Sequence, residues 1–156
     1  MVRNNVTRML ESRGIDYQAF ELPNAKLSGM EAASYLGVEP EKVFKTIVVT
    51  RQYKGKPVLA LVPAPREVNL KALSRALGEK KVHLATQKEA EQLTGLQVGG
   101  ISPLALLQRG FQVIIDISAT SLEEIYISGG QRGINICLAT EDLVELTRAE
   151  QAAISR

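Results

Sequence analysis

Lys45 sits in Val43-Phe44-Lys45-Thr46-Ile47-Val48-Val49, a cation inside an otherwise apolar, β-branched run. An ammonium held away from water must be paired or must reach a polar ligand, so Lys45 is a candidate for gripping an anionic or strongly polar group. It can equally be a strand-end lysine whose four-carbon stem reaches solvent, and the local sequence leaves both readings open. Two glycine pairs lie far along the chain, in Val98-Gly99-Gly100-Ile101-Ser102-Pro103 and in Tyr126-Ile127-Ser128-Gly129-Gly130-Gln131-Arg132-Gly133. Glycine lets a backbone approach a ligand without a Cβ in the way. Taken singly each pair is a turn, and neither has the spacing of a dinucleotide fingerprint or a P-loop. Taken together, the lysine and the two glycine bends predict parts of a single pocket.

Other chemistries are poorly represented. His83 is the one histidine, so no histidine pair is available to a zinc ion. At the end of a predicted strand it reads as a surface or structural residue. Cys137, the one cysteine, lies in the apolar Ile134-Asn135-Ile136-Cys137-Leu138, which favours packing over nucleophilic attack and leaves no internal disulfide. No metal and no cofactor are expected. The 156 residues carry 19 Lys and Arg against 17 Asp and Glu, a formal charge of +2, and 45% are hydrophobic. That balance suits one compact domain over 1–156 with a sizeable core, and it permits a nucleic-acid partner without requiring one. With no apolar run long enough to span a bilayer and no secretory leader pattern, a soluble cytoplasmic protein is expected. Arg51, Lys54, Lys56, Arg66, Lys71, Arg75, Lys80 and Lys81 are candidates for a basic patch, or simply solvated surface.

The elements that must position these residues can be read from periodicity and punctuation. Helices are predicted over 2–13, from the Ser28/Glu31 capping box to Gly37, over 69–77 with Asn69 as cap and Gly78 as stop, and over 86–93 with a Thr86/Glu89 capping box. A last helix over 140–146 has Thr140 as its expected cap. Strands are predicted over 15–22, 44–50, 57–62, 82–85, 112–117, 124–128 and 133–138, with 51–56 closing a hairpin. Short strands interleaved with helices, without regular βαβ alternation, indicate a mixed α+β domain. The final ten residues are expected to fray.

In this order the motifs Phe44-Lys45-Thr46, Val98-Gly99-Gly100-Ile101-Ser102-Pro103, Ile114-Ile115-Asp116 and Tyr126 to Gly133 resemble the YbaK family of free-standing aminoacyl-tRNA deacylases, related to the editing domain inserted in prolyl-tRNA synthetases. The likeness runs from the first helix to about Leu146. It implies a closed or nearly closed mixed β-barrel flanked by helices, and a pocket for the 3′ end of a mischarged tRNA. Cysteine on the proline acceptor is the implied substrate. Prolyl-tRNA synthetase is a further implied partner, and translation fidelity the implied role. Carried over, the family's essential lysine falls on Lys45 and its pocket glycine on Gly99. Its pocket serine falls on Ser128, with Phe44, Thr46, Gly100, Ile101, Ser102, Pro103, Gly129, Gly130 and Asn135 as further substrate contacts. The resemblance adds that a cysteinyl substrate's own thiol can attack its ester, a lyase-like alternative to hydrolysis. This chain has Asn135 where the family typically has aspartate, and no clear equivalent of a tyrosine at the pocket mouth. Alanine on the same acceptor or another mischarged species therefore remains an alternative, and so, independently, do a non-catalytic module that only holds a tRNA or nucleotide end and a structural or regulatory protein in which the glycine loops are turns and Lys45 a solvated strand end.

Overall fold

The computed structural model describes residues 2–52 and 55–156, so Tyr53 and Lys54 at the predicted hairpin tip lie outside the described residues. Helices α1 (Asn5–Ser12), α2 (Gly29–Leu36), α3 (Leu70–Leu77), α4 (Gln87–Thr94) and α5 (Thr140–Thr147) alternate with strands β1 (Tyr17–Glu21), β2 (Phe44–Arg51), β3 (Val58–Pro63), β4 (Val82–Leu84), β5 (Gln112–Asp116), β6 (Glu124–Ser128), β7 (Ile134–Ala139) and β8 (Glu150–Ala152). The mixed α+β class is the one expected. Helix starts follow the capping chemistry. Ser28 Oγ accepts from Glu31 N–H at 3.1 Å while Glu31 accepts in return from Ser28 N–H, and Thr86 and Glu89 repeat the arrangement. Helix α1 begins later than expected because Asn4, not an earlier residue, caps it by accepting from Thr7 N–H at 3.0 Å.

The strands form two sheets, β1-β7-β6 and β4-β2-β3-β5-β8. Strand β2 runs antiparallel to β3 and β4, whereas β3–β5 and β5–β8 are parallel. The main core lies between the sheets, where Phe44, Val48, Leu59, Leu61 and Ile115 meet Ile125, Ile127, Ile136 and Leu138, with Leu10 of α1 and Leu143 of α5 closing the ends. The opposite face of the larger sheet packs Val49, Val58, Ala60, Val62 and Ile114 against Leu73 of α3 and against Ile154. Strand β3 is buried at all six positions because both its faces are covered, which explains its unbroken apolar sequence.

Three expectations are corrected. Among the described residues no barrel closes: β6 meets the residue before β2 through one isolated parallel bridge, Val43 with Tyr126, and no ladder follows. Closure needs a continued ladder, but β2 is paired on its far side with β4 only over 49–51, preceded by a bond from Ala85 N–H to the Val48 carbonyl at 3.0 Å. Thr140 is not a cap. It is already helical, Ala139 holds the cap position without a side-chain bond, and Thr140 Oγ1 is buried without a partner. The last ten residues do not fray, because β8 adds to β5 and the buried Asp116 carboxylate captures the backbone just beyond β8. Its Oδ1 accepts the N–H groups of Ile154 and Ser155, each at 3.0 Å, and its Oδ2 accepts the N–H and hydroxyl of Ser118 at 3.2 and 2.6 Å.

Candidate functional site

The sheets part over a cavity of about 680 Å³. One wall is β2 from Phe44 to Val48, and the other carries Ser128 of β6 with Ile134 and Asn135 of β7. The segment from Leu22 to Ala32 and the start of α4 complete the rim. Lys45, Gly99 and Ser128, which come from three distant segments, thus face one space. Phe44, Thr46, Ile101 and Asn135 line it too. Gly100, Ser102, Pro103, Gly129 and Gly130 do not line it. A Cβ on Gly100 would lie 2.6 Å from the Gln131 carbonyl carbon, and one on Gly129 would lie 2.6 Å from the Ile134 side chain. Gly130 packs against Val6 and Ala105, and Ser102, fully buried, accepts from Leu104 N–H at 3.2 Å. Pro103 borders a different cavity, beyond α5.

The two glycine bends therefore hold each other. Arg132 Nε donates to the Val98 carbonyl at 2.8 Å, and Asn4 Nδ2 donates to the Gly129 carbonyl at 2.9 Å. Gly99 is the cavity-lining member of its pair, and its backbone favours glycine. Its φ is +97°, and a Cβ there would lie 3.2 Å from the Lys26 backbone, so any side chain would displace the rim segment.

Charge and unfilled hydrogen bonds define what the walls can do. Lys45 Nζ lies 3.4 Å from Glu67 Oε1, and its side chain is 22% exposed, so it is neither a buried lone cation nor a freely solvated one. Lys26 donates to Gln87 Oε1 at 2.7 Å across the rim. The backbone N–H of Ser28 holds the Glu31 carboxyl below its ordinary range, which commits that acid to the helix cap. Thr46 Oγ1 and Asn135 Oδ1 are buried without a hydrogen-bond partner, and both residues line the cavity. A buried polar atom left unpaired costs about 1–3 kcal/mol, and Thr140 Oγ1, away from the cavity, is a third such atom among the described residues. Cys137 is excluded from the chemistry: burial, reinforced by Glu124, pushes its thiol up to about 11, and it is absent from the wall. His83 is exposed on β4, away from the cavity. Among the described residues no group of three or more His, Cys, Asp or Glu side chains is placed to hold a metal ion, and no helix is long and apolar enough to cross a membrane.

The model of the aminoacyl-tRNA editing domain matches residues 23–146. The chain belongs to the aminoacyl-tRNA editing domain family. Along 98% of this chain it is 34% identical to an Enterococcus faecalis protein provisionally named Cys-tRNA(Pro)/Cys-tRNA(Cys) deacylase EbsC, 93% of which is covered. A proline–tRNA ligase of Thermodesulfovibrio yellowstonii is 30% identical over 79% of this chain, a stretch that makes up 20% of the ligase. Among solved structures, a hypothetical protein superposes with a TM-score of 0.89 at 27% identity, covering 98% of this chain and all of its own. A protein provisionally described as a trans-editing enzyme for prolyl-tRNA synthetase superposes with a TM-score of 0.81 at 26% identity, covering 100% and 99%.

Some wall residues of this editing domain carry no local sequence signal. Glu67, Lys26 and Gln87 sit in unremarkable polar stretches and reach the cavity only through the fold. The capping boxes at Ser28 and Thr86 are legible, but not the fact that both helix starts open onto the same rim. Of the candidate basic patch, Arg51 is spent within the structure, on Glu79 at 2.7 Å, on the Lys56 carbonyl and on Gln112.

Proposed function

We propose that this protein is a free-standing aminoacyl-tRNA deacylase that removes cysteine from the proline acceptor, acting in the cytoplasm as one unit over residues 1–156. The observation that carries the reading is the pairing of a cationic and a glycine-bend element with two unpartnered polar atoms around one cavity. Its volume falls in the range of small-ligand pockets, about 300–1,000 Å³. The provisional name of the E. faecalis relative includes cysteine on the proline acceptor, beside cysteine on its own acceptor.

In this reading Lys45 holds a phosphate or ribose oxygen of the terminal nucleotide and fixes the ester in place. The Gly99 bend brings backbone carbonyl and amide groups within reach of the acyl group and its ammonium. Phe44 and Ile101 give the apolar floor, while Thr46, Ser128 and Asn135 supply neutral hydrogen bonds. An aminoacyl ester is activated, so positioning and oxyanion stabilisation carry most of the work. In hydrolysis, water oxygen bonds to the acyl carbon, the bond from that carbon to the ribose oxygen breaks, and the ribose oxygen takes up a proton. The wall offers no histidine or cysteine as base or nucleophile. That favours a second route for cysteine, in which the substrate's deprotonated sulfur attacks its own acyl carbon, the same C–O bond breaks, and a thiolactone leaves as the ribose oxygen is protonated. Prolyl-tRNA synthetase is the natural partner, since it makes the mischarged species.

The test is a panel of purified aminoacyl-tRNAs, with cysteine and alanine on the proline acceptor and cognate proline as control, incubated with wild type and Lys45→Ala. Release of cysteine by the wild type, slowed by at least about a hundredfold in Lys45→Ala at unchanged circular dichroism, is the expected result. Preferential release of alanine overturns the substrate. Binding without release from any species overturns the enzymatic reading in favour of a tRNA-end binding module.

A further inference from the structure

Lys45 meets a carboxylate inside its own protein. Glu67 lines the same cavity, its Oε1 lies 3.4 Å from Lys45 Nζ, and the Glu67 and Lys45 side chains are 73% and 22% exposed. The backbone of Glu67 is fixed on both sides. Its N–H donates to the Arg156 carbonyl at 3.1 Å, its carbonyl accepts from Arg156 N–H at 2.9 Å, and Val68 bridges Ser155. The Asp116 carboxylate holds that terminal segment in turn. The Glu67 side chain is different: among the described residues Lys45 is its one hydrogen-bond partner, and it stands mostly in water. Of the other charged groups on the wall, Glu31 is committed to Ser28 at 3.0 Å and Lys26 is bonded to the neutral Gln87. Glu67 is therefore the one wall carboxylate engaged with Lys45, offering the anionic oxygen that a phosphate would offer.

We infer that Glu67 is an internal competitor for Lys45, a counter-ion that the phosphate of an incoming nucleotide end must displace. This rests on the reading of Lys45 as the group that holds the terminal nucleotide. An ammonium has three donors, but a carboxylate and a phosphate brought together on it repel each other, so the flexible partner leaves. The anchored backbone and exposed side chain of Glu67 let it swing into solvent without disturbing the fold. The exposure of Glu67 keeps the pair weak enough to be displaced. The effect is selective: ligands bearing phosphate overcome the competitor through charge, and uncharged ligands gain nothing from its removal.

The experiment compares wild type, Glu67→Gln, Lys45→Ala and the double variant, using Cys-tRNA(Pro) turnover and inhibition by AMP and by adenosine. In Glu67→Gln the KM for Cys-tRNA(Pro) and the inhibition constant of AMP are expected to fall by about two- to fivefold, the range of an exposed ion pair. The change falls on KM rather than kcat, adenosine inhibition stays the same, and the gain for AMP vanishes in the double variant. Unchanged or raised values for AMP, or equal shifts for AMP and adenosine, overturn the competition. Glu67→Ser, which leaves the backbone bonds in place, serves if Glu67→Gln is poorly folded. If Lys45→Ala deacylates as well as wild type, the reading of Lys45 fails; if it is inactive while Glu67→Gln is indistinguishable from wild type, only the competition fails.

Discussion

Two buried polar groups of this molecule have opposite hydrogen-bond accounts. Asp116, 2% exposed, has both oxygens filled by four donors from Ser118, Ile154 and Ser155. Asn135, 5% exposed, has its side-chain oxygen unfilled, and so does Thr46 across the cavity. Burial alone would push the Asp116 carboxyl up, yet the bonds from Ser118 and Ile154 hold it below its ordinary value. Asp116 is saturated by its own chain, whereas Asn135 and Thr46 line the cavity with an oxygen unfilled, as Thr140 Oγ1 is at the start of α5. Asp116 should therefore matter to stability, and the two cavity-lining groups to turnover.

The largest expected effect is on the saturated side. Asp116→Ala leaves the Ile154 and Ser155 N–H groups without an acceptor and should cost about 3 kcal/mol, a drop of roughly 6–12 °C in Tm for a chain of this size. Thermal unfolding by circular dichroism measures it. The acid limb of the stability curve carries a related signature. Because the folded carboxyl is held below its unfolded value of about 3.9, its contribution is complete above that pH and is lost as pH falls toward the lower folded value. Asp116→Asn should remove that slope, and an identical acid limb in the two proteins would refute the assignment.

Smaller effects are expected at the unsaturated groups, chiefly on turnover. Asn135→Asp should tighten the hold on a substrate ammonium, lowering KM for Cys-tRNA(Pro) by about tenfold, the scale of a charge-assisted bond replacing a neutral one. Steady-state kinetics above pH 6 would read it, and a raised KM would show that the amide is the better partner. Thr46→Val is the smallest and most diagnostic change. Removing a buried hydroxyl that has no partner should raise stability by up to about 1 kcal/mol while slowing deacylation severalfold. A variant that loses both stability and activity would show that Thr46 is structural after all.

Much of this fold is legible because its local signals agree with the tertiary outcome. The capping boxes at Ser28 and Thr86, the glycine stops at Gly37 and Gly78 and the β-branched runs of β2 and β3 each place an element within a residue or two. Strand β8 is not legible, since Glu150-Gln151-Ala152 carries no alternation and pairs only because β5 presents a free edge and Asp116 an acceptor. Thr140 misleads for a related reason: Thr at a helix start reads as a cap, but the preceding strand runs straight into the helix and leaves no extended residue for it to occupy. Within the first glycine pair the sequence cannot tell which member lines the cavity, because Gly99 and Gly100 differ only in what other segments bring beside them.

The sequence by itself determined the element order as far as α5, the α+β class and the segments that bring Lys45, Gly99 and Ser128 to the cavity, since these rest on short-range propensity and on residue types costly to place otherwise. The tertiary structure alone decided that β6 meets the residue before β2 through one bridge with no ladder to close a barrel, and that Glu67 meets Lys45. Those outcomes depend on how two sheets twist past each other and on where a distant tail is pinned, quantities set by the packing of the whole chain and by no stretch of it alone.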